Sequence, residues 1–227
     1  MKKFFMSAFC LCLLELFPAT AQDIFPTSIG PYIGMRAGVS AITTPKGRKN
    51  GLAVNSVPDF GFKYYVPFGV DNNLAFTGNV GYSTASYIIK SAYSDSKEYT
   101  FAHSYLVISP NFEFEGFSMG FNFNVPLAAD IDGSEIDSKE LAFNTEVKLG
   151  YEFPIFNDET GRLNIFVHAA YMLGGVMDNY AKNDPLATVL PAEAPQKITD
   201  AFNPRVASLA IGFNFLFSLN GESESGE

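Results

Sequence analysis

The chain has 227 residues, room for one barrel or sandwich domain without a second. Apolar residues make up 47% and charged residues only 17%, below the roughly 25% usual for soluble domains. A net charge of −9 without any basic cluster argues against nucleic acid as a partner.

The chain opens on a predicted signal peptide, residues 1–21. Lys2 and Lys3 precede a mostly apolar stretch, and Ala19-Thr20-Ala21 gives the small-x-small cleavage pattern. Glu15 and Pro18 interrupt that stretch, which falls short of the ~20 apolar residues a membrane anchor needs. Cys10 and Cys12 both lie inside it, so the chain beyond is expected to use neither disulfides nor thiols.

Eight amphipathic strands then follow, each alternating with period two. In the first, Ile33, Met35, Ala37 and Val39 alternate with Gly34, Arg36, Gly38 and Ser40. In the second, Phe60, Phe62, Tyr64 and Val66 oppose Asp59, Gly61, Lys63 and Tyr65. The third sets Leu74, Phe76, Val80 and Tyr82 against Thr77, Asn79, Gly81 and Ser83. The fourth and fifth form a hairpin mirrored about Glu115-Gly116. Pairing Phe114 with Phe117, Phe112 with Met119, Ile108 with Phe123 and Leu106 with Val125 puts every large residue on one face. The sixth carries Leu141, Phe143, Val147, Leu149, Tyr151 and Phe153 on its apolar face. The seventh carries Leu163, Ile165, Val167, Ala169, Tyr171 and Leu173. The eighth has Ala207, Leu209, Ile211, Phe213, Phe215 and Phe217. Residues 220–227 are a hydrophilic tail.

The connections alternate long and short. Residues 42–58, 84–99, 126–140 and 174–204 are the long ones, and in an antiparallel meander all four lie at one end. Short turns at one end and long loops at the other are the pattern of outer-membrane barrels. Strands of roughly 9–11 residues are the length a tilted strand needs to cross a bilayer. The fold class expected for residues 22–219 is therefore all-β, an eight-stranded antiparallel up-and-down transmembrane β-barrel.

The polar strand face is dominated by Gly, Ser and Asn, such as Gly81, Gly120, Asn122, Asn144 and Asn214. Small residues suit the narrow lumen of an eight-stranded barrel, which side chains fill, whereas so many Phe and Leu would overfill it. The apolar face is thus assigned to lipid. The lumen then receives Arg36, Lys63, Glu113, Glu146, Lys148 and Glu152, read as a paired charge network. Tyr32, Tyr64, Tyr82, Tyr105, Tyr151, Phe153 and Tyr171 lie near strand ends and are assigned to aromatic girdles.

On these residues and this loop rhythm the chain resembles the small outer-membrane β-barrel family of the OmpA/OmpX type. The resemblance spans residues 30–219 and implies fold and outer-membrane location. Phe217 or Phe215 would serve as the terminal aromatic of such barrels, with ten residues following Phe217.

Chemistry-bearing motifs are few. His103 and Ser104 are adjacent, so they point to opposite faces and form no dyad. His168 falls on the lumen side. Asp130, Asp132, Glu135 and Asp137 begin like a calcium loop, but Glu135 stands where such a loop needs Gly. The expectation is a non-enzymatic barrel with a packed lumen and no cofactor. Its partners are outer-membrane lipid and an extracellular or envelope protein met through the long loops. A narrow channel for ions or small solutes and a soluble ligand-carrying barrel remain as alternatives.

Overall fold

The computed structural model describes residues 27–68, 74–93, 97–157, 160–188, 190, 198 and 202–219. The predicted signal peptide at residues 1–21, the tail at residues 220–227 and the tip at residues 94–96 lie outside the described residues. The described residues contain eleven strands: β1 (Ser28–Ser40), β2 (Arg48–Gly51), β3 (Ala53–Val54), β4 (Asp59–Phe68), β5 (Leu74–Ser91), β6 (Glu98–Phe114), β7 (Phe117–Ile131), β8 (Ser134–Ile136), β9 (Asn144–Asn157), β10 (Gly161–Met172) and β11 (Val206–Ser218). Eight of them form a ring in the order β1-β4-β5-β6-β7-β9-β10-β11, and β11 pairs back onto β1 from Ile29↔Phe217 to Ser40↔Val206. Every wall pairing is antiparallel, so this is the expected eight-stranded meander, closed without a free edge around most of its height.

The β6–β7 hairpin adopts the register its sequence dictates, with Phe114 opposite Phe117, Phe112 opposite Met119 and Leu106 opposite Val125. Its turn uses Glu115 at φ 48° and Gly116 at φ 84°. Positive φ at both central residues is the type I′ geometry that matches strand twist.

Alternation resolves which face is the inside. Along β7, Phe117, Met119, Phe121 and Phe123 are 38–53% exposed on the outer surface, while Ser118, Asn122 and Asn124 are 2–3% exposed in the lumen. The barrel is apolar outside and polar inside. Close packing within demands glycine at particular places. A Cβ on Gly212 would fall 2.5 Å from the ring of Phe166 and 2.5 Å from the Cα of Gly34. Bare backbone at both glycines is what lets that ring lie across the lumen.

Three sequence-based assignments need correction. First, residues 84–99 and 126–140 are largely strand. β5 and β6 stay paired from Leu74↔Phe114 up to Lys90↔Glu98, and β7 continues to Ile131. Asp132-Gly133, both at positive φ, then turns the chain back into β8. An Asp-Gly pair is a strong short-range hairpin signal, and it was readable in the sequence. Second, Tyr32 and Tyr105 belong to no girdle. Parity with Arg36 and Val107 points them inward, and they are 9% and 1% exposed. Third, Leu141 does not join the outer apolar face, and the described part of the long connection 174–204 packs into a core. Leu141 bridges to Met177, and Val176, Tyr180, Leu186 and Phe202 are buried.

The strand extensions invert polarity. In the lower wall Leu106, Ile108, Phe112 and Phe114 of β6 face out; in its upper part Phe101, His103 and Tyr105 are buried inside. β5 changes likewise, from Leu74 outside to Tyr87 and Ile89 inside. The physical reason is the neighbour. Where lipid surrounds the wall, apolar residues face out; above it water surrounds the wall, and apolar residues turn in to make a dry core.

Candidate functional site

The lumen is built in layers. In the upper layer, Arg36 on β1 donates from Nε to Oδ2 of Asp59 at 2.8 Å and from Nη1 to Oε2 of Glu146 at 3.3 Å. Asn122 donates to the same Glu146 oxygen at 2.6 Å, and Asp59 Oδ1 accepts the backbone N–H of Thr84 at 3.0 Å. In the lower layer, Lys63 pairs with Glu152 and, at 3.4 Å, with Glu113. Glu152 Oε2 also accepts from Asn214 at 2.9 Å and from Asn164 at 3.4 Å. Lys148 sits between the layers and donates to Ser109 Oγ at 2.6 Å. A cavity of about 30 Å³ adjoins it, lined by Tyr32, Asn79, Ser83, Asn122 and His168 among others. That is space for a water molecule or two and no more. Below the lower layer Tyr65, Ala75 and Leu216 form a small apolar cluster, and the Arg162 guanidinium lies 4.6 Å from the Tyr65 ring centre.

All six residues expected in the lumen lie there, each 1–8% exposed. Arg36 and Glu146 come together, as do Lys63, Glu113 and Glu152. Lys148 meets a hydroxyl, and none of the ion pairs among the described residues includes it. Asp59 was missed. Its signal was its parity, on the same strand face as Lys63 and four residues away.

Above the lumen a second core fills the outer mouth. Tyr87, Ile89, Phe101, Tyr105, Met172, Val176, Met177, Tyr180 and Leu186 form one buried cluster with Phe202 and Val206. Two short 3-10 turns, Tyr180–Asn183 and Pro185–Thr188, carry part of it. A buried ion pair from Arg48 on β2 to Asp184 ties these turns to the wall. Asp184 Oδ1 also accepts the N–H of Leu186 at 3.3 Å. Burial pushes the Tyr180 phenol well above its usual value, and the Asp184 carboxylate adds to the effect. Among the described residues, no three metal-ligating side chains gather. Three carboxylates of the acidic stretch bind backbone: Asp130 accepts from Gly133 N–H, Asp132 from Thr100 N–H across the hairpin and Asp137 from Lys139 N–H. His103 points into the outer core, while Ser104 shares a hydrogen bond with Tyr82 Oη.

A closed ring of eight antiparallel strands with a continuous apolar outer belt defines a membrane β-barrel of the outer-membrane type. A soluble barrel requires the opposite arrangement, apolar inside and polar outside, and is set aside. The chain is an outer-membrane protein: its belt needs lipid, and closed barrels of this pattern are how strands cross that membrane. No family model matches the chain, and no curated protein matches it. Among solved structures it is similar to three outer-membrane proteins. One is Ail, the attachment invasion locus protein of Yersinia pestis, in complex with the heparin analogue sucrose octasulfate. It is 12% identical over 85% of this chain and 100% of that one, with a TM-score of 0.36. The second is OprG from Pseudomonas aeruginosa, 11% identical over 86% and 100%, TM-score 0.33. The third is AlkL, determined in lipid bilayers, 12% identical over 92% and 99%, TM-score 0.39.

The belt carries its own test. Phe121→Arg on the outer face of β7 is expected to cost about 2–4 kcal/mol in lipid, as for a cation placed near the bilayer midplane. Urea unfolding in phospholipid vesicles measures it. A cost near zero would mean that Phe121 does not face lipid.

Proposed function

We propose that the protein is a closed, non-conducting barrel whose working surface is its outer end. The carrying observation is the stacking of two seals: an ion-paired lumen and, above it, an apolar core that fills the mouth. An ion crossing the barrel would have to break buried charge pairs and then cross a dry layer, each costly. The cavity beside Lys148 is about 30 Å³ and lies among the paired lumenal charges, which favours closure over the channel alternative. The outer end offers material for recognition. Leu52, Val54 and Val57 near β3, and Tyr93 beyond β5, are exposed apolar side chains at the outer end of the barrel. They suit contact with an extracellular or envelope protein, while lipid remains the partner of the belt. The reading includes no catalytic step.

Planar-bilayer recording tests the closure. The purified barrel is expected to give no discrete conductance steps. Reproducible single-channel openings would refute a sealed lumen and favour the narrow channel.

A further inference from the structure

The outer core contains a mismatch. Its wall side, on β5 and β6, presents a ladder of rings: Tyr87 stacks on Phe101 at 4.9 Å with an interplanar angle of 4°, and His103 stacks on Tyr87 at 5.7 Å and 20°. These wall residues are fully buried. Yet the Tyr87 hydroxyl and both ring nitrogens of His103 have no hydrogen-bond partner among the described residues. The segment packed against them offers mostly apolar groups, Val176, Met177 and Leu186. It also offers the ring of Tyr180, which lies 5.5 Å from Phe101 and whose own hydroxyl is likewise without a partner among the described residues. Buried polar groups in native proteins are nearly always matched. A wall with three unmatched donor and acceptor atoms in line with a stack of rings is shaped for a different occupant from the one it holds.

We propose that the chamber between β5, β6 and the turns at Tyr180–Asn183 and Pro185–Thr188 is a binding site for a small phenol, and that Tyr180 occupies it in the closed state. The class follows from the wall. A flat ring continues the Tyr87–Phe101–His103 ladder, and a hydroxyl both donates and accepts, so it can answer either state of the imidazole. Tyr180 supplies the ring but leaves its hydroxyl unmatched. A free phenol can tilt to satisfy the wall, because no backbone constrains it. The Arg48–Asp184 pair holds the turns down, so loosening it should open the chamber. The proposal depends on the closed cap only for the position of Tyr180. Conductance would sink the sealed-barrel reading without touching phenol binding, and the converse also holds.

The test uses the full-length protein in detergent micelles, with heat-modifiable gel mobility as the folding check. Calorimetric titrations with p-cresol and toluene are corrected for partition into micelles. Wild type is expected to bind p-cresol saturably, and Tyr180→Ala to bind it at least tenfold more tightly. Toluene, lacking the hydroxyl, should bind Tyr180→Ala at least tenfold more weakly than p-cresol. Adding His103→Phe should erase that preference. If Tyr180→Ala does not fold, Arg48→Met serves in its place and should also tighten p-cresol binding. Equal affinity for toluene and p-cresol would reduce the site to a mere cavity and overturn the proposal. So would the absence of saturable binding in the folded variants.

Discussion

Lys63→Met is expected to destabilise the barrel by about 3–5 kcal/mol, the usual cost of removing one partner from a buried ion pair. Lys63 contacts both Glu113 and Glu152 in the lower lumen, and all three are no more than 5% exposed. Its loss strands two carboxylates in a narrow space. The three donors on Glu152 would then be reduced to the amides of Asn164 and Asn214, which cannot neutralise it. Urea unfolding in vesicles should show the loss. The triple variant Lys63→Met, Glu113→Gln, Glu152→Gln removes the charges together and should recover most of the stability, since matched removal of a buried pair is often nearly neutral. If Lys63→Met alone costs less than about 1 kcal/mol, the magnitude of an ordinary substitution, water already screens the site and the lumen is wetter than its packing implies.

That expectation also marks how far sequence alone reaches. The barrel wall was legible because lipid imposes one rule on every strand. Phe117 to Val125 alternate without a break, and the hairpin register followed from Phe114 and Phe117 alone. The lumen charges were legible for the same reason, since a residue such as Lys63 between two large apolar neighbours has only one face to take. What escaped was the layer above. There Ala85, Tyr87 and Ile89 keep the period of two, with Ile88 the one apolar residue between them, but with the main apolar set on the opposite face. A period of two gives the repeat and not its sign; the sign depends on whether lipid or water lies outside. Where the two regimes meet, near Tyr82 to Thr84 on β5, the alternation looks interrupted and resembles the start of a loop. Asp184 and Arg48 are separated by most of the chain, so no local pattern announces their pairing. His103 was assigned correctly to the face opposite Ser104, but its place in a ring ladder depends on Tyr87 from the adjacent strand.

The inverted layer has a mechanical consequence. The outer core is assembled on the same strands that form the membrane wall, so the cap and barrel share β5 and β6. The cap's other supports are weaker in kind: short 3-10 turns, an isolated bridge from Leu141 to Met177 with a few backbone bonds beside it, one buried ion pair and the side-chain bond from Asn203 to the Met177 carbonyl. Elements of that sort open at lower free energy than a continuous ladder. The barrel wall, hydrogen-bonded around a closed ring and clamped by lipid, should open last.

Phe101→Ala separates the two layers. Phe101 is fully buried, stacked on Tyr87 and in contact with Tyr180, so truncation should cost the cap about 3–5 kcal/mol, as for other buried aromatic deletions. If the cap is a separate cooperative unit, limited proteolysis in vesicles should cut within residues 174–188 at protease levels that leave wild type intact. The heat-modifiable mobility of the membrane barrel should change little. Phe112→Ala supplies the contrast. Phe112 lies on the same β6 strand but is 59% exposed on the lipid face. Lipid tails can follow the truncated side chain there, so no fixed cavity forms and the cost should be well below that at Phe101. Equal costs at the two positions would mean that the upper strand is as fluidly surrounded as the lower one, and the dry outer core would be wrong. A Phe101→Ala variant that loses cap and barrel together would instead show that the shared strands couple them into one unit.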